Sequence, residues 1–137
     1  QRQMCIRDRF PTTRAAAEAA KRHRLPTLMG TPNLMRGGSH SGNVSAGELV
    51  ASGLLDLLAS DYIPMSLLKG AFRLLEPPFG LKLWQAVAMV TRLPAEVAGL
   101  VDRGRIATGL RADLVRVKRI DGRPIVRAVL VGGERVA

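Results

Sequence analysis

Apolar residues follow two rhythms along this chain, and the change falls near residue 102. Before it, short apolar runs alternate with stretches of helical composition. Residues 13–23 are rich in Ala, Glu, Lys and Arg; Ala16, Ala19 and Ala20 form a stripe, and Thr12 or Thr13 can cap the first turn, so a surface helix is expected. The run 25–29 ends at Gly30 and reads as a buried parallel strand. Residues 31–43, rich in Pro, Gly, Ser and Asn, read as a loop. Ser45 and Glu48 have the spacing of a capping box and open a helix that ends near Gly53. Residues 54–59 read as a second buried strand, ending at Ser60, Asp61 and Tyr62, with Asp56 turned toward a helix. Pro64 suits the first turn of a helix to about Leu75, which Pro77 and Pro78 cannot continue; shorter helices are expected over 83–90 and 94–100.

After Asp102-Arg103-Gly104 the rhythm becomes that of strands. Residues 113–120 and 125–131 are Val-rich and flank Asp121-Gly122, a strong hairpin signal. The fold class is therefore α/β: a parallel α/β segment over residues 10–101, followed by a small antiparallel sheet over 102–137. Residues 1–9 fit neither rhythm. The peptide Met4-Cys5-Ile6-Arg7-Asp8 resembles a translated sequencing adapter, so this stretch is expected to be an artefact or a disordered terminus.

Composition narrows the function classes. An apolar content of 47% describes a globular chain, and Asp56, Asp61, Lys69 and Lys82 interrupt every run that could approach the roughly 18 residues of a bilayer span, so no membrane role is expected. A single cysteine, Cys5, and the lack of a secretory leader fit the cytoplasm. The formal charge of +10 invites a small basic nucleic-acid-binding protein, but the arginines are scattered without aromatic interleaving, which argues against it.

In parallel α/β folds, ligands sit at the carboxyl ends of the strands. One such end leads into Arg36-Gly37-Gly38-Ser39-His40-Ser41-Gly42-Asn43. Its glycines allow close backbone approach, its amides and hydroxyls can donate to phosphate oxygens, and Arg36 offers a bidentate cation. A mobile surface loop would have the same composition. The other end is Asp61, whose carboxylate needs a metal, a cap or an ion pair if it is withdrawn from water. One His and one Asp cannot complete a metal site.

The stretch Met29-Gly30-Thr31-Pro32-Asn33, then Arg36 to Asn43 as above, then Ser60-Asp61-Tyr62, resembles the diphosphatases of the carbon–phosphorus lyase pathway. The tail, with Asp102-Arg103-Gly104 and Arg111-Ala112-Asp113-Leu114, is similar to amidohydrolases in general. Thr31 stands where the subfamily usually has Ala, and Leu93 where an Asn is common; both are expected to stand clear of the site.

The resemblance implies a TIM-barrel-like fold of which this chain holds the last two strands, plus part of a β-sandwich. It implies a divalent metal (Zn, Mn or Mg) bound by Asp61, which also takes a proton from the attacking water. A ribose triphosphate phosphonate would be the substrate, cleaved to the 5-phosphate and pyrophosphate. Asn33, Arg36, Gly37, Gly38, Ser39, His40 and Ser41 are the substrate-binding candidates. The family's His-x-His and remaining ligands would lie upstream of Phe10, so the chain alone is expected to be inactive. Leu28, Met29, Leu54, Leu55, Leu57 and Leu58 are expected to lose the cover of absent strands and to leave the chain aggregated or molten. Another amidohydrolase, a deaminase or cyclic amidase, is the neighbouring alternative; a homo-oligomer stays open.

Overall fold

The computed structural model describes residues 10–38 and 42–137; residues 1–9, including Cys5, and Ser39, His40 and Ser41 lie outside the described residues. Helix α1 spans Arg14–Arg22, and the Thr13 hydroxyl accepts from the Ala16 amide, fulfilling the expected N-cap. Strand β1, Leu28–Gly30, leads directly into helix α2, Thr31–Arg36. Helix α3 covers Ala46–Ala51, strand β2 Leu57–Ala59 and helix α4 Ser66–Arg73. Helices α5, Leu83–Ala88, and α6, Arg92–Val97, complete the first part. Strands β3 (Leu114–Ile120), β4 (Arg123–Val131) and β5 (Glu134–Arg135) form the tail sheet.

β1 and β2 pair in parallel with Leu28 opposite Leu57, Met29 opposite Leu58 and Gly30 opposite Ala59. Both strands are shorter than their apolar runs suggested, because the residues leading into them are committed to side-chain bonding. The Thr27 hydroxyl, almost fully buried, donates to the Leu54 carbonyl, while the Thr27 amide donates to Asp56 Oδ2 at 2.9 Å. Lys21 of α1 closes this end with a 2.6 Å ion pair to Asp56 Oδ1, so Asp56 faces a helix as expected.

Two expectations are corrected. Residues 31–36 are helix rather than loop. Pro32 sits in the first turn, where its missing N–H costs nothing, and Gly37 terminates the helix in the left-handed conformation at φ +78°. Those Pro and Gly positions are helix punctuation as much as loop composition. Pro64, conversely, lies in a turn ahead of α4, which begins at Ser66.

The leucines expected to be bare are also covered. Met29, Leu55 and Leu58 are buried in one cluster with Leu34, Leu49, Leu74, Ala86 and Met89, and Leu57 is buried as well. Leu28 and Leu54 are half-buried. The chain beyond β2 supplies this cover: the Met89 carbonyl, at the end of α5, accepts from the Leu58 amide at 3.1 Å and so also satisfies an edge group of β2.

The tail folds as the Val-rich pattern predicts. Asp121 and Gly122, at φ +48° and +77°, form the two-residue turn between Ile120 and Arg123 that matches the twist of a hairpin. A bulge follows where the register shifts between Arg116 and Val117. Asp113 ties the sheet to the preceding loop, accepting from the Gly132 amide and from Arg111 at 2.8 Å each, with Arg103 beside it.

Helices α4 and α2 approach closely at Gly70. A Cβ added at Gly70 would lie 2.0 Å from Thr31 Cγ2. Gly70→Ala should therefore lower stability by about 1–3 kcal/mol in a thermal or urea melt through overpacking. Thr31→Ser, which removes the obstructing methyl and keeps the hydroxyl, should recover most of that loss.

Candidate functional site

Asp61 stands two residues beyond the end of β2, at the carboxyl ends of the parallel pair. Its backbone is left-handed, φ +54°, which turns the chain sharply after Ser60 and brings its side chain against Gly30 at the end of β1. The fit is close: a Cβ on Gly30 would be 2.5 Å from Asp61 Oδ2 and 3.1 Å from its Cβ. Gly30 itself has an ordinary extended conformation at φ −70°, so its lack of a side chain serves the neighbour and not its own backbone. Asp61 is exposed and has no hydrogen bond or ion pair among the described residues. An acceptor-only carboxylate held this way is available to a cation or to a proton on water.

Thr31 locks this end of the strands. Fully buried, its hydroxyl donates to the Ala59 carbonyl at 2.7 Å, two residues before Asp61. Thr31 thus holds the strand end from which Asp61 projects, through a bond to Ala59.

Around Asp61 the structure gathers part of the expected anion loop. Arg36 lies over the ring of Tyr62, with its guanidinium carbon 5.4 Å from the ring centroid, in cation–π geometry. The Asp61-Tyr62 turn and the C-terminal end of α2 are thus adjacent. Gly37 and Gly38 continue from Arg36, and a Cβ at either would meet nothing within 4 Å among the described residues. Asn33 is engaged differently from the other candidates. Its Oδ1 accepts from the Ala46 amide at 2.8 Å at the start of α3, bracing the two ends of the glycine-rich segment. The far end is pinned again by the Val44 amide donating to the Thr12 carbonyl at 3.0 Å. Ser39, His40 and Ser41 lie outside the described residues.

Asp61 is one carboxylate, and among the described residues no group of three or more His, Cys, Asp or Glu side chains could hold a metal ion. The described residues do not make a metal centre by themselves. Sequence reasoning overlooked Gly30 and Tyr62 as parts of the site. A glycine at the end of an apolar strand is a signal of close approach; the Tyr62 contact had none.

The family model described as Amidohydrolase family matches residues 12–137. The chain belongs to the amidohydrolase family. It is 52% identical over 128 residues to the alpha-D-ribose 1-methylphosphonate 5-triphosphate diphosphatase of Escherichia coli (strain K12), covering 93% of this chain and 34% of that protein. Among solved structures, an amidohydrolase from Thermotoga maritima MSB8 superimposes with a TM-score of 0.71 at 23% identity, over 90% of this chain and 34% of that one, a likeness of fold. This chain thus spans about a third of the length of each of these two proteins. Among the described residues no helix is long and apolar enough to cross a membrane.

Two predictions concern the scaffold of the site. Gly30→Ala should push the Asp61 carboxylate aside and lower stability by about 1–3 kcal/mol; adding Asp61→Gly should relieve the loss, and a melt that Gly30→Ala leaves unchanged would show that the two do not touch. The second is a pH effect. Glu48 accepts from the Ser45 amide and hydroxyl at 2.8 and 2.9 Å. The backbone bond to Ser45, then its hydroxyl bond, with Arg14 adding attraction, hold the Glu48 carboxyl below its usual value of 4.5, against a smaller opposing effect of desolvation. Because the folded value is depressed, this contribution is complete above about pH 4.5 and is lost as pH falls through the folded value. Glu48→Gln should flatten that part of the acid side of the stability–pH curve measured by urea denaturation.

Proposed function

We propose that this chain is part of a divalent-metal-dependent hydrolase that cleaves alpha-D-ribose 1-methylphosphonate 5-triphosphate to the 5-phosphate and pyrophosphate, in the cytoplasm, during phosphonate breakdown. The reading rests chiefly on one observation: 52% identity to the Escherichia coli diphosphatase across a segment that contains both strand ends and the glycine-rich turn. In this reading β1 and β2 are the last two strands of a TIM-barrel-like domain, residues 10–101, and residues 102–137 belong to a β-sandwich.

Asp61 is the residue that touches the chemistry. Its carboxylate receives a proton from water as the water oxygen attacks phosphorus, adding across the anhydride bond nearest the ribose; pyrophosphate departs and the 5-phosphate remains. A divalent ion, Zn, Mn or Mg, would contribute activation of water near neutral pH, with Asp61 among its ligands and the others drawn from polypeptide outside this chain. Gly30 and Thr31 fix the carboxylate's position. Arg36, Gly37 and Gly38, with Ser39, His40 and Ser41, bind phosphate oxygens through guanidinium, backbone amides and side-chain donors. Asn33 holds the ends of this segment together.

The test uses an enzyme extended to the length of the diphosphatase. Asp61→Asn preserves size but cannot take the proton, so turnover should fall by orders of magnitude while the melting temperature changes little. Release of pyrophosphate from the triphosphate is the measurement, and near-native turnover by this variant would remove Asp61 from the mechanism.

A further inference from the structure

A depression of about 210 Å³ opens between α2 and α4, beside the Asp61-Tyr62 turn. Pro32, Met35, Ile63 and Met65 wall it with apolar groups, and two cations, Arg36 and Lys69, reach it from opposite helices. Among the described residues no carboxylate lines it. The Ser66 hydroxyl in its wall is turned inward to the Ile63 carbonyl at 2.6 Å. Lys69 has no hydrogen bond or ion pair among the described residues, and neither α2 nor α4 carries an acidic residue that could neutralise it. An anion seated in this depression would be attracted by both cations, beside walls that are otherwise apolar.

We propose that Lys69, acting with Arg36, forms a subsite for the terminal phosphoryl group of a polyphosphate ligand. The inference builds on the phosphate-ester substrate proposed above and adds a residue from a helix that the glycine-rich segment does not include. Arg36 is shared between the two regions: its guanidinium covers Tyr62 next to Asp61 and also lines the depression. A phosphate chain whose reacting anhydride lies near Asp61 would therefore direct its far end past Arg36 toward Lys69. Lysine suits this position because a flexible ammonium can follow a rotating terminal phosphate, whereas the planar Arg36 sets the direction of the chain.

Binding of inorganic pyrophosphate to this chain, followed by calorimetry or phosphorus NMR, tests the subsite without requiring turnover. Lys69→Gln should weaken pyrophosphate binding about tenfold or more, the scale of one charge-assisted contact, and Lys69→Arg should retain most of it. Lys118→Gln, on β3 and outside the depression, controls for the general attraction of a basic protein and should have little effect. Absence of pyrophosphate binding by the unaltered chain, or equal losses for Lys69→Gln and Lys118→Gln, would overturn the proposal. The outcome separates from that of the diphosphatase reading. Lys69-dependent binding would stand even if the extended enzyme failed to hydrolyse the triphosphate, and hydrolysis with Lys69-independent binding would remove the subsite alone.

Discussion

Everything at the candidate site depends on one short parallel pairing, β1 against β2, fastened at both ends by buried threonines. At the amino end Thr27 bonds to the Leu54 carbonyl and to Asp56, which Lys21 clamps from α1. At the carboxyl end Thr31 reaches from the start of α2 to the Ala59 carbonyl. Three-residue strands contribute few ladder bonds, so side-chain bonds across the pair fix the register that a longer sheet would fix through its backbone. With register fixed, Gly30 stands opposite Ala59, and the turn after β2 can lay Asp61 on the one residue that leaves room for it.

Helix packing turns that pairing into a site. Gly70 allows α4 to approach Thr31, so α4 and α2 converge over the strand ends and enclose the depression that Arg36 and Lys69 line. The same convergence places Tyr62 under Arg36, restricting a guanidinium that would otherwise sample many rotamers. The capping box at Ser45 and Glu48 and the Asn33 bond to Ala46 hold the return of the glycine-rich segment close to α2. Its ends are anchored by independent bonds on separate elements.

The tail sheet is held by charge as well as by its ladder. Arg119 approaches Glu76 at 3.7 Å, and Glu76 also lies 3.7 Å from Arg73 of α4, so the hairpin meets the helical part through a partly exposed ionic contact. Asp113 has its carboxyl value lowered, first by the Gly132 amide and then by Arg111 and Arg103, against desolvation, which marks it as the anchor between the 102–113 loop and the last turn. Such exposed pairs contribute little stability each, and their effect here is orientation.

Residue chemistry written locally was legible in the sequence: the Thr13 cap, the Ser45–Glu48 box, the Asp121-Gly122 turn and the Val-rich runs on either side of it that form a hairpin. The tail residues Asp102-Arg103-Gly104 and Arg111-Ala112-Asp113-Leu114 also carry a resemblance to the amidohydrolase family to which the chain belongs. Residues 31–36 were misread because Pro and Gly mark helix ends and loops alike, and composition does not say which. The run 54–59 reads as a buried strand, but what covers Leu57 and Leu58 could not be read from it, since the covering groups come from segments distant in sequence. Asp61 was visible as a carboxylate at a strand end, but its left-handed turn, its seat on Gly30 and the position of Thr31 below it required the strands to be paired. Local sequence sets caps and turns because their partners lie within a few residues; the site is set by contacts across some thirty, which only the tertiary structure decides.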